Sequence, residues 1–550
     1  MATRDAVDGA ADHPSVRDLW RRVRRYAVSR RTIERATERR LSGDWAGACA
    51  AADVDVGIDL TRVTRRYGAR CADRVEDDLR HLAPDLLRWH LPRGADGRLV
   101  PGRRYTLDRC GAAFLVAETV SAQRIRLVLA GAAGPARDSY RGHRYRWDAR
   151  RADELRTRIG GTARRAPFFD PTGTPVPRPG AAHDTAGRYE RVALAGSTVD
   201  AWLLAGIPLR LRRSRATRGA AVALARLPVA PARLLAETRG LLAAGSAGPG
   251  LHDAPAGGAG LPDPGGTAGE VDGWVRFRIG NGCAVVLSSA GPAYVVAAGA
   301  APPVPVLPDV AWQACVDLDL VRHDEIGPDE LHPLVRDALF PARPGVASGP
   351  PEPRRPGPVR VRCTGGESHA LAVREGRLVA PAHPAAEQRR ERVLARFGGP
   401  LAPCLATLDA WASGAGRVPY ELARQRYDAL ERVRHGDTDT LLWLLRNGLP
   451  ATVRLADGGT LLHALPELDH GALLPALVAA GLSPDDTDHA GRDPAQRADL
   501  AGDPALAALL RTPTGDVPAR TDPLAPPDGA NFLDLHPQWR HRTHRGRRRP

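Results

Sequence analysis

The run Gly436-Asp-Thr-Asp-Thr-Leu-Leu-Trp-Leu-Leu-Arg-Asn-Gly448, continued by Leu449-Pro-Ala-Thr-Val-Arg-Leu-Ala-Asp-Gly-Gly-Thr-Leu-Leu-His-Ala-Leu-Pro-Glu-Leu468, decides how the last part of this chain folds. Residues 469–501 repeat its plan through Leu473-Leu474, Leu477-Val478, Ala480-Gly481, Asp488, Gly491, Asp493 and Pro494, and a truncated copy starts at Gly502. The period is 33 without a gap. Gly448 pairs with Gly481, Gly458 with Gly491, Thr460 with Asp493, His463 with Gln496, and Gly436 with Gly502 at twice the period. Gly448 and Gly481 suit the left-handed position that ends a helix. Thr460 is placed to cap the next helix, and His463 to tie neighbouring turns through its ring nitrogens. The leucine pairs fill the seam between stacked units.

A fixed 33-residue unit of turn plus two helices is the ankyrin period. The segment Asp457-Gly-Gly-Thr-Leu-Leu-His-Ala-Leu465 resembles that family's D-G-x-T-P-L-H-x-A element. Over about Tyr420 to Thr512 the chain therefore resembles ankyrin repeat domain-containing proteins of the GC-rich bacterial type. Leu461 replaces the family's proline, Asp469 stands where a glycine is expected, and Gln496 replaces histidine. The resemblance implies a concave protein-binding face made of first helices and turn tips. By repeat position its contact residues are Leu455, Asp457, Gly459, Asp488, His489 and Arg492. The repeat-structural positions are Gly448, Gly458, Thr460, His463, Gly481 and Gly491. The stack is short, so it is expected to lean on the helices Leu401–Ala412 and Pro419–Arg434 before it.

Working back toward the start, apolar period two marks three meander-like segments. They are Tyr105 to Leu129, Val275 to Val296 and Val359 to Val379, with helices expected at Ala149–Ile159, Asp329–Leu339 and Ala386–Phe397 after them. This suggests a degenerate repeat of meander plus helix. The uncharged run Ile279 to Pro308 is cut by Ser288, Ser289, Gly291, Pro292 and Pro302, so it reads as a buried hairpin and not a membrane helix. Residues 15–92 read as helical, with Val16, Leu19, Trp20 and Val23 on one face and a last helix from Ala72 to Trp89. Segments 171–186, 243–270, 341–358 and 512–530 are rich in Pro and Gly and read as linkers.

The chain has 550 residues and a formal net charge of +15, and every one of its 78 basic side chains is arginine. Together with abundant Ala, Gly and Pro, this matches the codon bias of a GC-rich bacterial genome. Most of the excess charge lies in two places, ten arginines in 17–40 and six in 536–550. The Arg-rich termini are thus candidate contacts for an acidic protein or nucleic acid, although residues 17–40 read rather as a solvated helix face. Cys49, Cys71, Cys110, Cys283, Cys315, Cys363 and Cys404 form no C-x-x-C pair. That argues against a zinc ribbon or a disulfide framework and suggests buried free thiols in a reducing cytosol.

His323-Asp324-Glu325 with Asp329, Glu330 and His332 gathers ligand-type residues, but at no metal-motif spacing, and reads as an exposed acidic loop and helix start. Gly280-Asn281-Gly282 reads as a hairpin turn, and a P-loop is excluded because the chain has no lysine. No catalytic, cofactor-binding or metal residue is nominated. The expected fold class is α+β multidomain. Disorder is expected over 1–14, a helical N-terminal region over 15–95, an α+β module over 96–245, and one or more further modules over 271–398. A C-terminal ankyrin-type α-solenoid with its preceding helices follows over 399–512, then a disordered basic tail over 513–550. The expected function is a cytoplasmic, non-enzymatic adaptor that binds an unidentified protein, with no membrane partner. The alternatives are an enzyme in residues 96–400 that uses the repeats for targeting, and a nucleic-acid-associated protein acting through its termini.

Overall fold

The computed structural model describes residues 16–131, 138–181, 183–211, 217, 219–245, 273–280, 282–345, 348–353, 358–414 and 416–512. The expected N-terminal disorder, most of the 243–270 linker, and the linker and basic tail beyond 512 lie outside them. The fold is mixed α and β and forms two compact units, residues 1–350 and 351–550. Among the described residues no helix is long and apolar enough to cross a membrane.

The first unit contains one topology twice. In the first copy the helix Trp45–Ala51 leads into the strand Val54–Val56, and the helices Leu60–Tyr67, Ala69–His81 and Pro84–His90 precede the meander Arg104–Cys110, Ala113–Thr119, Ile125–Gly131. In the second, Thr198–Leu204 leads into Leu209–Leu211, and Ala220–Arg226 and Pro231–Gly245 precede Trp274–Gly280, Cys283–Ser288, Ala293–Ala297. In both, the early short strand pairs in parallel with the last meander strand: Val54 opposite Ile125, and Leu209 opposite Ala293. In both, a parallel pairing closes the other edge, Tyr105 with Asp138 and Arg276 with Val306.

Local details repeat as well. The helix-to-strand joint turns through a positive φ at Asp53 (54°) and at Gly206 (79°). Ala83 donates its N–H to the Trp147 carbonyl at 2.7 Å, and Ala230 to that of Trp312 at 2.8 Å, just before a proline opens the next helix. The apolar spacing predicts one helix from Ala72 to Trp89. It breaks at Leu82-Ala83-Pro84, because Pro84 has no N–H to continue the ladder and forces Ala83 into extended backbone. Pro333 divides the expected helix Asp329–Leu339 in the same way. The meanders that begin at Arg104 and Trp274 thus belong to two copies of a larger unit. The run from Ile279 forms a buried hairpin, as its serines and prolines suggested.

The cores cross the sequence-based domain limits. Val28, Ile33, Leu86 and Trp89 from the N-terminal helices pack with Leu155, Phe169, Leu320 and Phe340. A buried polar network is set into this core. Arg24 grips both oxygens of Asp317 at 2.6 and 3.2 Å, and Asp317 also accepts the Trp89 indole N–H at 3.1 Å. His332 accepts the Leu334 N–H on Nδ1, so its Nε2–H donates to Asp85 at 2.9 Å, with both side chains buried.

In the second unit the third meander, Val359–Arg362, Ser368–Arg374 and Arg377–Val379, shares a single core with the helix Pro403–Ala412 and the helices after it. Residues 359–398 therefore belong with the C-terminal helices, and the boundary between units falls inside the proline-rich segment 341–358. Three helical pairs follow: Tyr420–Arg434 with Thr438–Arg446, Leu461–Glu467 with His470–Ala479, and Pro494–Leu500 with Pro504–Arg511. Asp437, Asp469 and Asp503 each cap a second helix by accepting a backbone N–H. Gly436 and Gly502 take positive φ just before the first and last of these caps. The middle pair needs no such glycine. Its first helix is a 3-10 turn containing Pro466, and it ends in extended backbone at Leu468.

Candidate protein-binding face

The turn tips that precede the first helices of the second and third pairs are built alike. Leu455 donates its N–H to the Gly459 carbonyl and Asp488 to that of Arg492, at 2.8 and 2.9 Å. Gly458 and Gly491 close these turns with φ of 80° and 74°. The tips are joined edge to edge: His489 donates its N–H to the Asp457 carbonyl at 2.8 Å, and Arg497 reaches the Asp457 carboxylate at 2.5 Å.

His463 connects the same two turns from beneath. Its Nδ1 accepts the Thr460 N–H at 3.0 Å, which leaves Nε2–H to donate to the Arg492 carbonyl at 3.0 Å. His463 and Thr460 are both buried, so each hydrogen bond satisfies a backbone group that water cannot reach. In the third pair the cap is Asp493, which exchanges two hydrogen bonds with Gln496 and faces solvent more openly.

The residues expected as contacts divide by burial. His489 is exposed, and Leu455, Asp457 and Arg492 are half-buried. Gly459 and Asp488 are buried and serve the turns themselves. Asp488 accepts the N–H groups of Ala490 and Arg492 and the Arg492 guanidinium. That Arg492 pairing, with the backbone donors, holds its carboxyl down at about 2. Burial alone would raise Asp457, but Arg497 and the Gly459 N–H bring it below the usual carboxylate range. The solvent-facing row not named from the sequence is Arg454, Ala456, Ala490, Gln496 and Asp499. For Ala490 the signal was present: in the Asp488-His-Ala-Gly491 turn the aspartate side chain folds back on the backbone, and its neighbours point outward.

Two expectations follow. A Cβ on Gly458 would sit 2.3 Å from the His489 ring, at a φ that L side chains avoid. Gly458→Ala should therefore cost about 1–2 kcal/mol and displace His489, measurable as a lowered denaturation midpoint of the second unit. Acid should also loosen the turns. The folded-state pKa of Asp488 lies below its ordinary 3.8, so its stabilisation is full above about 4 and is lost as pH falls toward about 2. Unfolding followed from pH 5 to pH 2 should show a steeper loss for the native chain than for Asp488→Asn.

The other sequence candidates lie in the first unit. His323 and Asp324 are exposed, Glu325 pairs with Arg21, Asp329 with Arg343, and His332 points inward to Asp85, so this group does not converge. Arg17, Arg21 and Arg24 of the basic helix reach Asp319, Glu325 and Asp317 of the same unit. These three arginines serve the fold. A cavity of about 680 Å³ lies beside Trp20, Phe168, Tyr189 and Trp202, and its one acid, Asp319, is bonded to Arg17. No family model, curated protein or solved structure matches the chain.

Proposed function

We propose that this chain is a non-enzymatic adaptor whose C-terminal helical pairs form a short ankyrin-type stack that binds another protein. The observation that carries the reading is the pair of matched turn tips. They are stitched together by His463 and by the His489–Asp457 backbone bond, while Arg454, Ala456, His489, Ala490 and Gln496 stand free of the supporting core. A rigid row of small and polar residues projecting from a stiff array is preorganised for a partner, since little conformational freedom is lost on binding. The seven cysteines are all free, which fits a reducing cytoplasm.

The test compares partners captured by the intact chain with those captured by an Ala456→Arg, Ala490→Arg double variant, whose substitutions lie at exposed tip positions. Loss of a partner with unchanged circular dichroism is expected. Identical partner sets for the two proteins would remove the claim.

A further inference from the structure

Four residues that the sequence scatters come together in the second unit. Cys363 follows the strand Val359–Arg362, and His369 lies in the strand Ser368–Arg374. His383 sits in the turn after Arg377–Val379, and Cys404 is in the first turn of the helix Pro403–Ala412. One donor atom of each lies within 4.8 Å of those of the other three. Cys363 Sγ lies 3.5 Å from His383 Nε2, His369 Nδ1 lies 3.0 Å from His383 Nε2, and Cys404 Sγ lies 3.7 Å from His369 Nδ1. Tetrahedral zinc, with bonds of about 2.0–2.1 Å to nitrogen and about 2.3 Å to sulfur, separates its ligands by about 3.3 Å (N to N) and about 3.6 Å (N to S). The observed spacings are close to these. Cys363, His383 and Cys404 are buried and His369 is half-buried.

The outer ring nitrogens make the stronger case. His369 Nε2 faces Glu367 Oε2 at 3.3 Å, and His383 Nδ1 faces Glu387 Oε1 at 3.2 Å. A carboxylate accepts a ring N–H, so each imidazole turns its proton outward and its lone pair inward. With both rings in that tautomer two lone pairs oppose each other at 3.0 Å between two sulfurs, an arrangement that a metal ion or a shared proton among the donors relieves.

We propose that Cys363, His369, His383 and Cys404 form a structural zinc site. Thiolate and imidazole in tetrahedral array select zinc over the hard oxygen-seeking cations. All four positions come from the protein, which leaves none open for water or substrate, so the site is structural and not catalytic. Two thiol protons leave to solvent as the dication binds, and the two thiolates neutralise it. The ion fastens the meander to the helix Pro403–Ala412, whose Leu405 and Leu408 lie in the core that carries the helical pairs. The sequence reading of isolated buried thiols does not describe Cys363 and Cys404.

The test uses the full chain, expressed with zinc and dialysed against metal-free buffer. Elemental analysis should find one zinc per chain, retained by Cys283→Ser and lost by the Cys363→Ser, Cys404→Ser double variant. Glu387→Gln should weaken affinity about 10–100-fold. Cobalt(II) exchanged into the native chain should give the visible absorption of a tetrahedral ion with thiolate-to-metal charge transfer, which decides the matter even where the cysteine variants misfold. Folded native chain with far less than one zinc and no tetrahedral cobalt spectrum overturns the proposal. Full zinc retention by the double cysteine variant overturns it as well.

Discussion

Arg24→Ala is expected to destabilise the first unit by about 3–5 kcal/mol, the largest effect of any single change considered. The Arg24 and Asp317 side chains are 4% and 2% exposed. The guanidinium also donates to the Trp89 carbonyl at 2.7 Å and lies 4.7 Å above the Trp89 ring. Removing it leaves the Asp317 carboxylate in a low-dielectric core with, among the described residues, the Trp89 indole as its remaining donor. Most of the loss is the cost of that stranded charge, not the net worth of the pair. Arg24→Met combined with Asp317→Leu should therefore recover much of the stability. Chemical denaturation followed by tryptophan fluorescence checks both. A cost under about 1 kcal/mol for Arg24→Ala, the range of exposed ion pairs, would show that water reaches the pair.

The second large effect is expected at Leu473, fully buried in the helix His470–Ala479. That helix packs on the 3-10 turn Leu461–Glu467 and on Thr438–Arg446. Leu473→Ala removes a fully buried side chain from the core that the helical pairs share, and the site can collapse little. The expected cost is about 2–5 kcal/mol. Because each pair is stabilised mainly by its neighbours, amide exchange should quicken first through residues 461–511, while the first unit keeps its protection. Leu500, 70% exposed, is the control, and its change to alanine should stay within about 0.5 kcal/mol. Equal effects at Leu473 and Leu500 would contradict the packing described.

What could be read from the sequence follows from the range of the interaction that makes each feature. The three meanders were legible because alternation with period two is a local signal, and all three appear where Tyr105, Val275 and Val359 placed them. The positive φ values at Gly448 and Gly481 were legible because a side chain there is penalised locally. The duplication in the first unit was legible only as a repeat of meanders, not in its full extent. Its two copies share topology, an Ala-Pro helix entry and a tryptophan carbonyl, but Asp53 fills in one the place that Gly206 fills in the other. The proposed zinc ligands were hidden because they come from four separate elements; His369 and His383 are 14 residues apart, and His369 and Cys404 are 35 apart. Only the tertiary fold brings them to one point. Asp488 was assigned to the contact face by position alone, which carries no information on where a turn aspartate points its carboxylate.

The change from His463 to Gln496 also bears on how the stack can grow. Histidine offers an acceptor at one end of its ring and a donor at the other, so it can hold its own turn and reach the following one at once. Gln496 spends its oxygen on the Asp493 N–H of its own turn and is exposed. Among the described residues the hydrogen-bonded seam therefore runs from one repeat to the next and then folds back on itself. The Gln496 amide NH2 still carries donors, and among the described residues they meet no further turn.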